Sequence, residues 1–72
     1  MGEKLNELIS LCIELSNDDA CYQVSILTFN DAISIYRVVG GSVQSSATKE
    51  LSEKGANDLI DWVHAQEAME AM

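Results

Sequence analysis

The sequence predicts a single α+β domain in which two helices cover one face of a three-stranded antiparallel sheet. Apolar residues recur at helical spacing near both ends of the chain, and between them the spacing changes to two, the period of a β-strand. The turn signals Asn30-Asp31 and Gly40-Gly41 divide the middle stretch into three strands. A chain of 72 residues with 47% apolar composition supports one domain, residues 1–72, with one thin core.

The first element is a helix over residues 3–16. Leu5, Leu8 and Cys12 follow the helical period, and further apolar residues widen this stripe. At about 100° per residue, the glutamates of the segment fall on the opposite side, where they form an acidic row that faces solvent: Glu3, Glu7 and Glu14. The polar run at residues 17–19 ends the helix in a turn.

The first two strands are predicted to form a hairpin around Asn30-Asp31. A two-residue loop there pairs Phe29 with Ala32. This register places six apolar residues on one face, which we interpret as the core face, with Arg37 interrupting it: Tyr22, Val24, Ile26, Ile33, Ile35 and Val39. The other face is half polar, and its apolar members are Leu27, Phe29, Tyr36 and Val38.

The third strand, from about residue 43 to residue 48, follows the glycine pair and has two alternative registers. A strict two-residue loop sends polar side chains to the core face, namely Ser42, Gln44 and Ser46. A longer loop or a β-bulge sends a different set there, namely Val43, Ser45 and Ala47. We favour the second register because it buries apolar atoms. The polar character of the strand predicts an edge position.

The closing segment predicts an amphipathic helix that begins after Ser52. Ser52 is a suitable N-cap, Leu51 can pack on Ala56, and Glu53 places negative charge at the positive end of the helix dipole. The predicted core stripe consists of Ala56, Leu59, Ile60 and Val63. Polar residues continue the line of this stripe, so we expect the last two turns to extend past the edge of the sheet.

A second apolar line in the closing helix begins at Trp62 and continues through Ala65, Met69 and Met72. One interpretation is that Trp62 packs back on the first helix at the margin of the core, as Trp and Met at helical spacing usually do. The alternative is a seam for a partner or for a second copy of the chain, because Trp is enriched at interface hot spots.

The charge of the chain restricts the classes of partner. Twelve acidic residues against four basic residues give a net charge of −8. Such a chain repels nucleic acid, since binding phosphates requires Lys and Arg to displace counterions. Electrostatic steering instead favours a basic surface on a protein partner. No apolar stretch reaches membrane-spanning length and no secretory signal is recognisable, so we expect a cytoplasmic protein without membrane contact.

The sequence contains no strong catalytic or metal-binding motif. Asp58, Asp61 and His64 recur every three residues, and Asp61 could orient His64 as a general base, but no nucleophile or second base is placed to meet them. One histidine and two unclustered cysteines give no zinc ligand pairs, and we expect Cys12 and Cys21 to be reduced. The expectation is therefore a protein that is not an enzyme and that has no metal and no cofactor.

The order helix, three strands, helix, with Thr28-Phe29-Asn30-Asp31 at a hairpin and Asp61-Trp62 in an acidic closing helix, resembles the small acidic proteins of phages and mobile elements. Anti-CRISPR proteins are the best-known group among these. The resemblance implies a non-enzymatic inhibitor that occupies the basic nucleic-acid-binding or PAM-reading surface of a bacterial defence complex, such as a CRISPR effector, in the cytoplasm of a bacterial host cell.

Two functional hypotheses follow. In the first, the protein is an inhibitor that binds a basic protein surface and can mimic nucleic acid; Trp62 provides an apolar anchor and the acidic side chains provide charge, namely Glu3, Glu7, Glu14, Asp18, Asp19, Asp58 and Asp61. In the second, it is a homodimeric phage or bacterial accessory protein without nucleic-acid mimicry. The dimer face is then formed by Leu27, Phe29, Tyr36 and Val38, or by the line from Trp62 to Met69.

Overall fold

The computed structural model describes residues 2–70, and the order of its elements confirms the predicted fold class. The strands form one antiparallel sheet in the order β1-β2-β3. The helices begin and end within a residue or two of their predicted limits, whereas β3 is longer at both ends than predicted. The elements are α1 (Gly2–Leu15), β1 (Ala20–Leu27), β2 (Ala32–Val39), β3 (Ser42–Glu50) and α2 (Glu53–Glu70). Within this range no helix is long and apolar enough to cross a membrane.

Both helices pack on the same face of the sheet, and the core lies between the two layers. Its completely buried large side chains come from both helices and from the central strand: Leu8 of α1, Ile33 and Ile35 of β2, and Leu59 and Val63 of α2. The predicted α2 stripe is confirmed, with Ile60 partly buried at its border. β2 is the central strand and has a neighbouring strand on each side.

The start of α2 confirms the predicted cap. The Oγ of Ser52 accepts a hydrogen bond from the Gly55 N–H at 3.0 Å, and the Ser52 carbonyl accepts one from the Ala56 N–H at 2.9 Å. Gly55 is buried at this point because the first turn of α2 lies directly on the end of β3. A Cβ atom built on Gly55 would overlap the Glu50 carbonyl oxygen. Only glycine leaves room for this approach of the two backbones.

The hairpin between β1 and β2 has a longer turn than predicted. Leu27 pairs with Ala32, and residues 28–31 form the turn, in which Asp31 has a φ of 50°. The predicted pairing of Phe29 with Ala32 is therefore wrong. The register moves by two residues, which is one full strand period, so the assignment of side chains to faces is unchanged. The Leu51 N–H donates a hydrogen bond to the Asp31 carbonyl at 2.8 Å, which ties this turn to the end of β3.

The predicted core face of β1 is only partly covered. Tyr22, like Ile33 and Ile35 on β2, is buried. Val24 is partly buried and Ile26 remains 41% exposed, so the prediction that Ile26 belongs to the core is wrong. The reason is the edge position of β1, which leaves the outer side of the strand without a neighbouring strand.

The turn between β2 and β3 follows the first of the two predicted registers. Gly40 and Gly41 form a two-residue turn with φ angles of 60° and 83°, which a tight hairpin of this kind requires. Val39 consequently pairs with Ser42.

A β-bulge then moves the rest of β3 into the second predicted register. The shift falls between Arg37 and Val38 on β2, and beyond it Ser45 and Ala47 lie on the core side. Val43 lies before the bulge, pairs with Val38 and is 61% exposed. The prediction that Val43 faces the core is therefore wrong, because the bulge occurs one residue later than that prediction needs.

Arg37 is a buried part of the core face rather than an interruption of it, with 5% of its surface exposed. Its Nε donates a hydrogen bond to the Tyr22 hydroxyl at 3.3 Å, and its Nη1 lies 3.2 Å from Gln44 Oε1 and 3.1 Å from Glu70 Oε1. The Tyr22 hydroxyl in turn donates to Glu67 Oε2 at 2.7 Å. The hydrogen bond to Tyr22 and the nearby Glu70 carboxylate raise the pKa of Arg37 above its ordinary value, so the guanidinium stays charged.

The last turns of α2 therefore lie over the sheet, and the prediction that they extend past its edge is wrong. Besides Glu67 and Glu70, Gln66 also bonds to the sheet, since its Oε1 accepts a hydrogen bond from the Ser45 hydroxyl at 3.0 Å. The polar residues that end the apolar stripe of α2 are the partners of polar groups on the sheet.

Both cysteines are free thiols, with Cys12 buried and Cys21 partly buried. Burial raises the pKa of the Cys12 thiol from 9.0 to about 11. A buried thiol is a small apolar side chain in the core, and ionisation would place a charge there without a partner.

Alkaline pH should destabilise the fold through Cys12. Because the folded-state pKa lies above the unfolded one, the contribution of this thiol is fully present below pH 9 and is lost as pH rises through about 11. In urea unfolding at about pH 8 and about pH 11, the wild type should lose about 1 to 2 kcal/mol more stability than the Cys12→Ala variant. An equal loss in both proteins would show that the thiol is not responsible.

Candidate functional site

The exposed sides of α1 and α2 form an acidic surface, which we call the acidic helical layer. The two helices pack against each other, so charges from the two ends of the chain share one surface. Six carboxylates against two lysines give the layer a net charge of −4: Glu3, Glu7, Glu14, Glu53, Asp58 and Asp61 against Lys4 and Lys54. The two remaining carboxylates of α2, on Glu67 and Glu70, face the sheet.

A shallow groove between the helices, of about 360 Å³, runs through this layer. Glu7 and Glu14 line it from α1, and His64 lines it from α2, together with Ser10, Leu11 and Ile60. The sequence placed His64 beside Asp61, whereas the structure also brings it to the acidic row of α1. The alternation of residues along one helix cannot reveal this proximity, because it depends on how the two helices pack.

Both lysines of the layer are engaged in ion pairs. Lys4 Nζ lies 3.1 Å from Glu7 Oε2, and Lys54 Nζ lies 3.2 Å from Asp58 Oδ2. These pairs are solvent-exposed, so each contributes under about 1 kcal/mol and is readily exchanged for another partner. Glu14 forms no ion pair within residues 2–70, and its carboxylate is exposed.

Asp18 and Asp19 lie away from the groove, in the turn that follows α1. The Asn17 side chain accepts hydrogen bonds from the N–H groups of Asp19 and Ala20 at 2.8 and 3.0 Å. The Gly40 N–H donates to the Asp19 carbonyl at 3.0 Å, which fixes the turn beside the β2–β3 hairpin. Both aspartates are exposed, and they extend the negative charge beyond the C-terminal end of α1.

Trp62 lies at the margin of the core. Its ring meets the ring of Tyr22 edge-on, with centroids 6.3 Å apart and an interplanar angle of 81°. This placement matches the first interpretation of Trp62, although the ring contact is with β1 rather than with α1. Ala65 and Met69 on the same line are exposed, Met69 by 63%, and Met72 lies outside the described residues.

The face of the sheet opposite the helices is uncovered in the part of the chain that the structure describes. Leu27, Tyr36 and Val38 are partly exposed on it. Val43 adds a further apolar side chain to this face, and Phe29 in the β1–β2 turn is 84% exposed. The strand residues proposed for a dimer face therefore share one side of the molecule.

The acidic helical layer offers exposed carboxylates that accept ion pairs and hydrogen bonds from Lys and Arg. Among residues 2–70, no group of three His, Cys, Asp or Glu side chains is arranged to hold a metal ion. Asp58 is bonded to Lys54, and Asp61 and His64 are exposed without a hydrogen bond between their side chains.

No protein-family model matches the chain, and neither a curated protein nor a solved structure matches it. We therefore argue function from the surfaces of the molecule.

Proposed function

We propose that the protein is a non-enzymatic binding module whose acidic helical layer docks on a basic, nucleic-acid-binding surface of a partner protein and blocks that surface. The observation that supports this is the layer itself: two helices from opposite ends of the chain pack against each other, and Glu7 and Glu14 of α1 line the groove between them. A surface rich in Lys and Arg supplies the complementary donors, and the charge of −8 steers the two proteins together.

The spacing of the carboxylates supports a short imitation of a phosphate backbone. Glu3 and Glu7 are one helical turn apart on α1, or roughly 6 Å along the helix axis. This is close to the direct distance between successive phosphates of one nucleic acid strand. Arg and Lys side chains that contact successive phosphates can therefore contact these carboxylates instead. The resemblance to anti-CRISPR proteins suggests the partner class, namely a bacterial defence complex such as a CRISPR effector in the host cytoplasm.

Capture of the partner followed by competition tests this function. The full chain is immobilised, incubated with a bacterial lysate, and the retained proteins are identified at low and high salt. We expect a basic nucleic-acid-binding protein whose affinity falls at least about tenfold between about 50 and 500 mM salt. Labelled double-stranded DNA should compete with the chain for this partner. Salt-independent binding, or simultaneous binding of the chain and DNA, would overturn the proposal.

The second candidate function is a homodimeric accessory protein without nucleic-acid mimicry. The exposed apolar side chains on the uncovered sheet face favour it, in particular Phe29 at 84% and Val43 at 61%. In this case the function depends on the sheet side of the molecule rather than on the acidic helical layer. Measurement of the molar mass over a range of concentrations tests it, and a protein that stays monomeric throughout would exclude it.

A further inference from the structure

The outer edge of β1 and the adjoining side of α1 form an apolar groove of about 520 Å³. None of its lining residues is charged, and most are apolar: Ile9, Cys12, Ile13, Tyr22, Val24 and Ile26. Three of these side chains are markedly exposed, Ile13 by 72%, Ile26 by 41% and Ile9 by 39%. Exposed apolar patches that combine helix and strand residues in this way mark interaction sites.

The two edges of the sheet differ in how they are protected against pairing. β3 is polar, ends in Lys49 and Glu50, and is paired with β2 through a bulge. These are common devices that keep an edge strand from pairing with another chain. β1 has none of them, since its eight residues include no charge and no proline and its pairing with β2 is regular. This difference indicates that the β1 edge is the one that another strand covers.

The backbone groups that are open on this edge can be assigned from the hydrogen bonds of the strand. The Asp19 carbonyl accepts a bond from the Gly40 N–H, at the position just before the β1–β2 ladder. Because antiparallel bonding alternates along a strand, odd-numbered residues of β1 bond to β2 and even-numbered residues direct their N–H and C=O groups outward. Val24 and Ile26 are thus the central residues of the open edge.

In the first half of β1, the outward N–H groups already have hydrogen-bond partners within the chain. The Ala20 N–H donates to the Asn17 side chain at 3.0 Å, and the Tyr22 N–H donates to Ser16 Oγ at 3.1 Å. Both bonds agree with the outward direction of even-numbered residues. They also restrict a pairing strand to the second half of β1, next to the exposed Ile26.

We propose that a second copy of this chain covers this edge, in a two-fold symmetric dimer whose β1 strands pair antiparallel about Ser25. Val24 of each copy then pairs with Ile26 of the other, and about four backbone hydrogen bonds close the two open edges. The side chains of Val24 and Ile26 meet on the core side, where Ile9 and Ile13 of both copies cover them. The product is one six-stranded sheet with four helices on one face and a core that continues across the axis.

Charge identifies a second copy as the occupant rather than a basic segment of another protein. The groove lining contains no carboxylate that could hold a lysine or an arginine. Glu7 and Glu14 lie on the other side of α1, in the groove with α2, so two copies joined at β1 do not bring their acidic helical layers together.

The available area is at the low end for a specific contact. Pairing about Ser25 overlaps residues 23–27, which span about 17 Å, and with α1 stacked above the strand the side is about 20 Å high, so each copy offers about 350 Å² and the pair about 700 Å². An interface of this size gives a weak, concentration-dependent dimer.

Sedimentation equilibrium of the full chain from about 10 μM to about 1 mM tests this dimer. We expect the mass to rise from 7.9 kDa towards twice that value. Ile13→Lys and Ile26→Lys should each weaken dimerisation at least about tenfold, because each places a buried charge at the interface. Val43→Lys makes the same change at an exposed position of the other edge strand and should leave dimerisation unchanged. Circular dichroism confirms that each variant is folded.

Hydrogen exchange provides a readout that needs no substitution. The amide protons of Val24 and Ile26 should exchange more slowly at high than at low protein concentration, whereas that of Val43 should not change. A monomer at every concentration would overturn the proposal. A dimer that persists in Ile13→Lys and Ile26→Lys but is lost in Phe29→Ser would also overturn it, and would place the interface on the uncovered sheet face. None of these outcomes bears on the acidic helical layer, since the two surfaces share no residue.

Discussion

Replacing Gly55 by alanine should destabilise the protein by about 3 kcal/mol or more, enough to unfold a domain of this size at moderate temperature. The added Cβ would overlap the Glu50 carbonyl oxygen, which belongs to the backbone and cannot move aside as a side chain can. To relieve this overlap, α2 has to shift at the turn where Ser52 caps it, and Leu59 and Val63 move with the helix. Urea unfolding followed by circular dichroism measures the loss.

The sign of this effect separates it from ordinary helix propensity. Glycine to alanine within a helix normally stabilises by up to about 1 kcal/mol. Gly2→Ala is the matched control, because a Cβ on Gly2 has no atom within 4 Å, and we expect it to be neutral or slightly stabilising. If Gly55→Ala is as stable as the wild type, the close approach of β3 and α2 is not as the structure has it.

Replacing Arg37 by alanine should cost about 2 to 4 kcal/mol. Arg37 is 5% exposed and its guanidinium contacts Tyr22, Gln44 and Glu70, so its removal leaves a cavity, removes two hydrogen bonds within the sheet and breaks one of the contacts between α2 and the sheet. The same unfolding measurement gives the cost. A protein with wild-type stability would contradict a structural role for Arg37.

Glu70→Gln distinguishes the buried contacts of Arg37 from its ion pair. The Glu70 side chain is 56% exposed, so solvent screens the pair and its loss should cost under about 1 kcal/mol. We therefore expect Arg37→Ala to be clearly more harmful than Glu70→Gln. Equal costs would mean that the ion pair with Glu70, and not the hydrogen bonds to Tyr22 and Gln44, accounts for the stability that Arg37 contributes.

Local patterns were sufficient to predict the elements of this fold. Apolar spacing identified both helices and the core stripe at Ala56, Leu59 and Val63, and the residue types at the start of α2 identified the Ser52 cap. Such signals depend on residues within one or two turns of each other. They are therefore readable before the tertiary structure is known.

Features set by distant partners were not predictable in the same way. A bond from the Leu51 N–H to the Asp31 carbonyl ties the β1–β2 turn to the end of β3, and Arg37 forms its ion pair with Glu70 of α2, 33 positions along the chain. An arginine in an alternating apolar strand does indicate a buried polar contact, but the residues that bond to it cannot be identified from the strand alone. The turn and the network both depend on contacts between segments that are far apart in the sequence.

The candidate site was predictable as a set of charges but not as a surface. The spacing of Glu7 and Glu14 predicted one acidic side of α1, and both line the groove beside α2. The approach of His64 to this groove, and the apolar groove between Ile13 and Ile26, depend on the rotation of each helix about its own axis. That rotation is fixed by the core and is not encoded in the charge pattern.

A matched pair of charge reversals tests the central claim, that the acidic helical layer is the binding surface, most directly. Glu14→Lys and Glu50→Lys each change the net charge from −8 to −6, but Glu14 lies in the layer and Glu50 at the end of β3. Titration calorimetry against the captured basic partner at low salt gives both affinities. The account predicts that Glu14→Lys weakens binding at least about tenfold and Glu50→Lys less than about threefold. Equal weakening by the two variants would show that only net charge matters and would contradict the assignment of the layer.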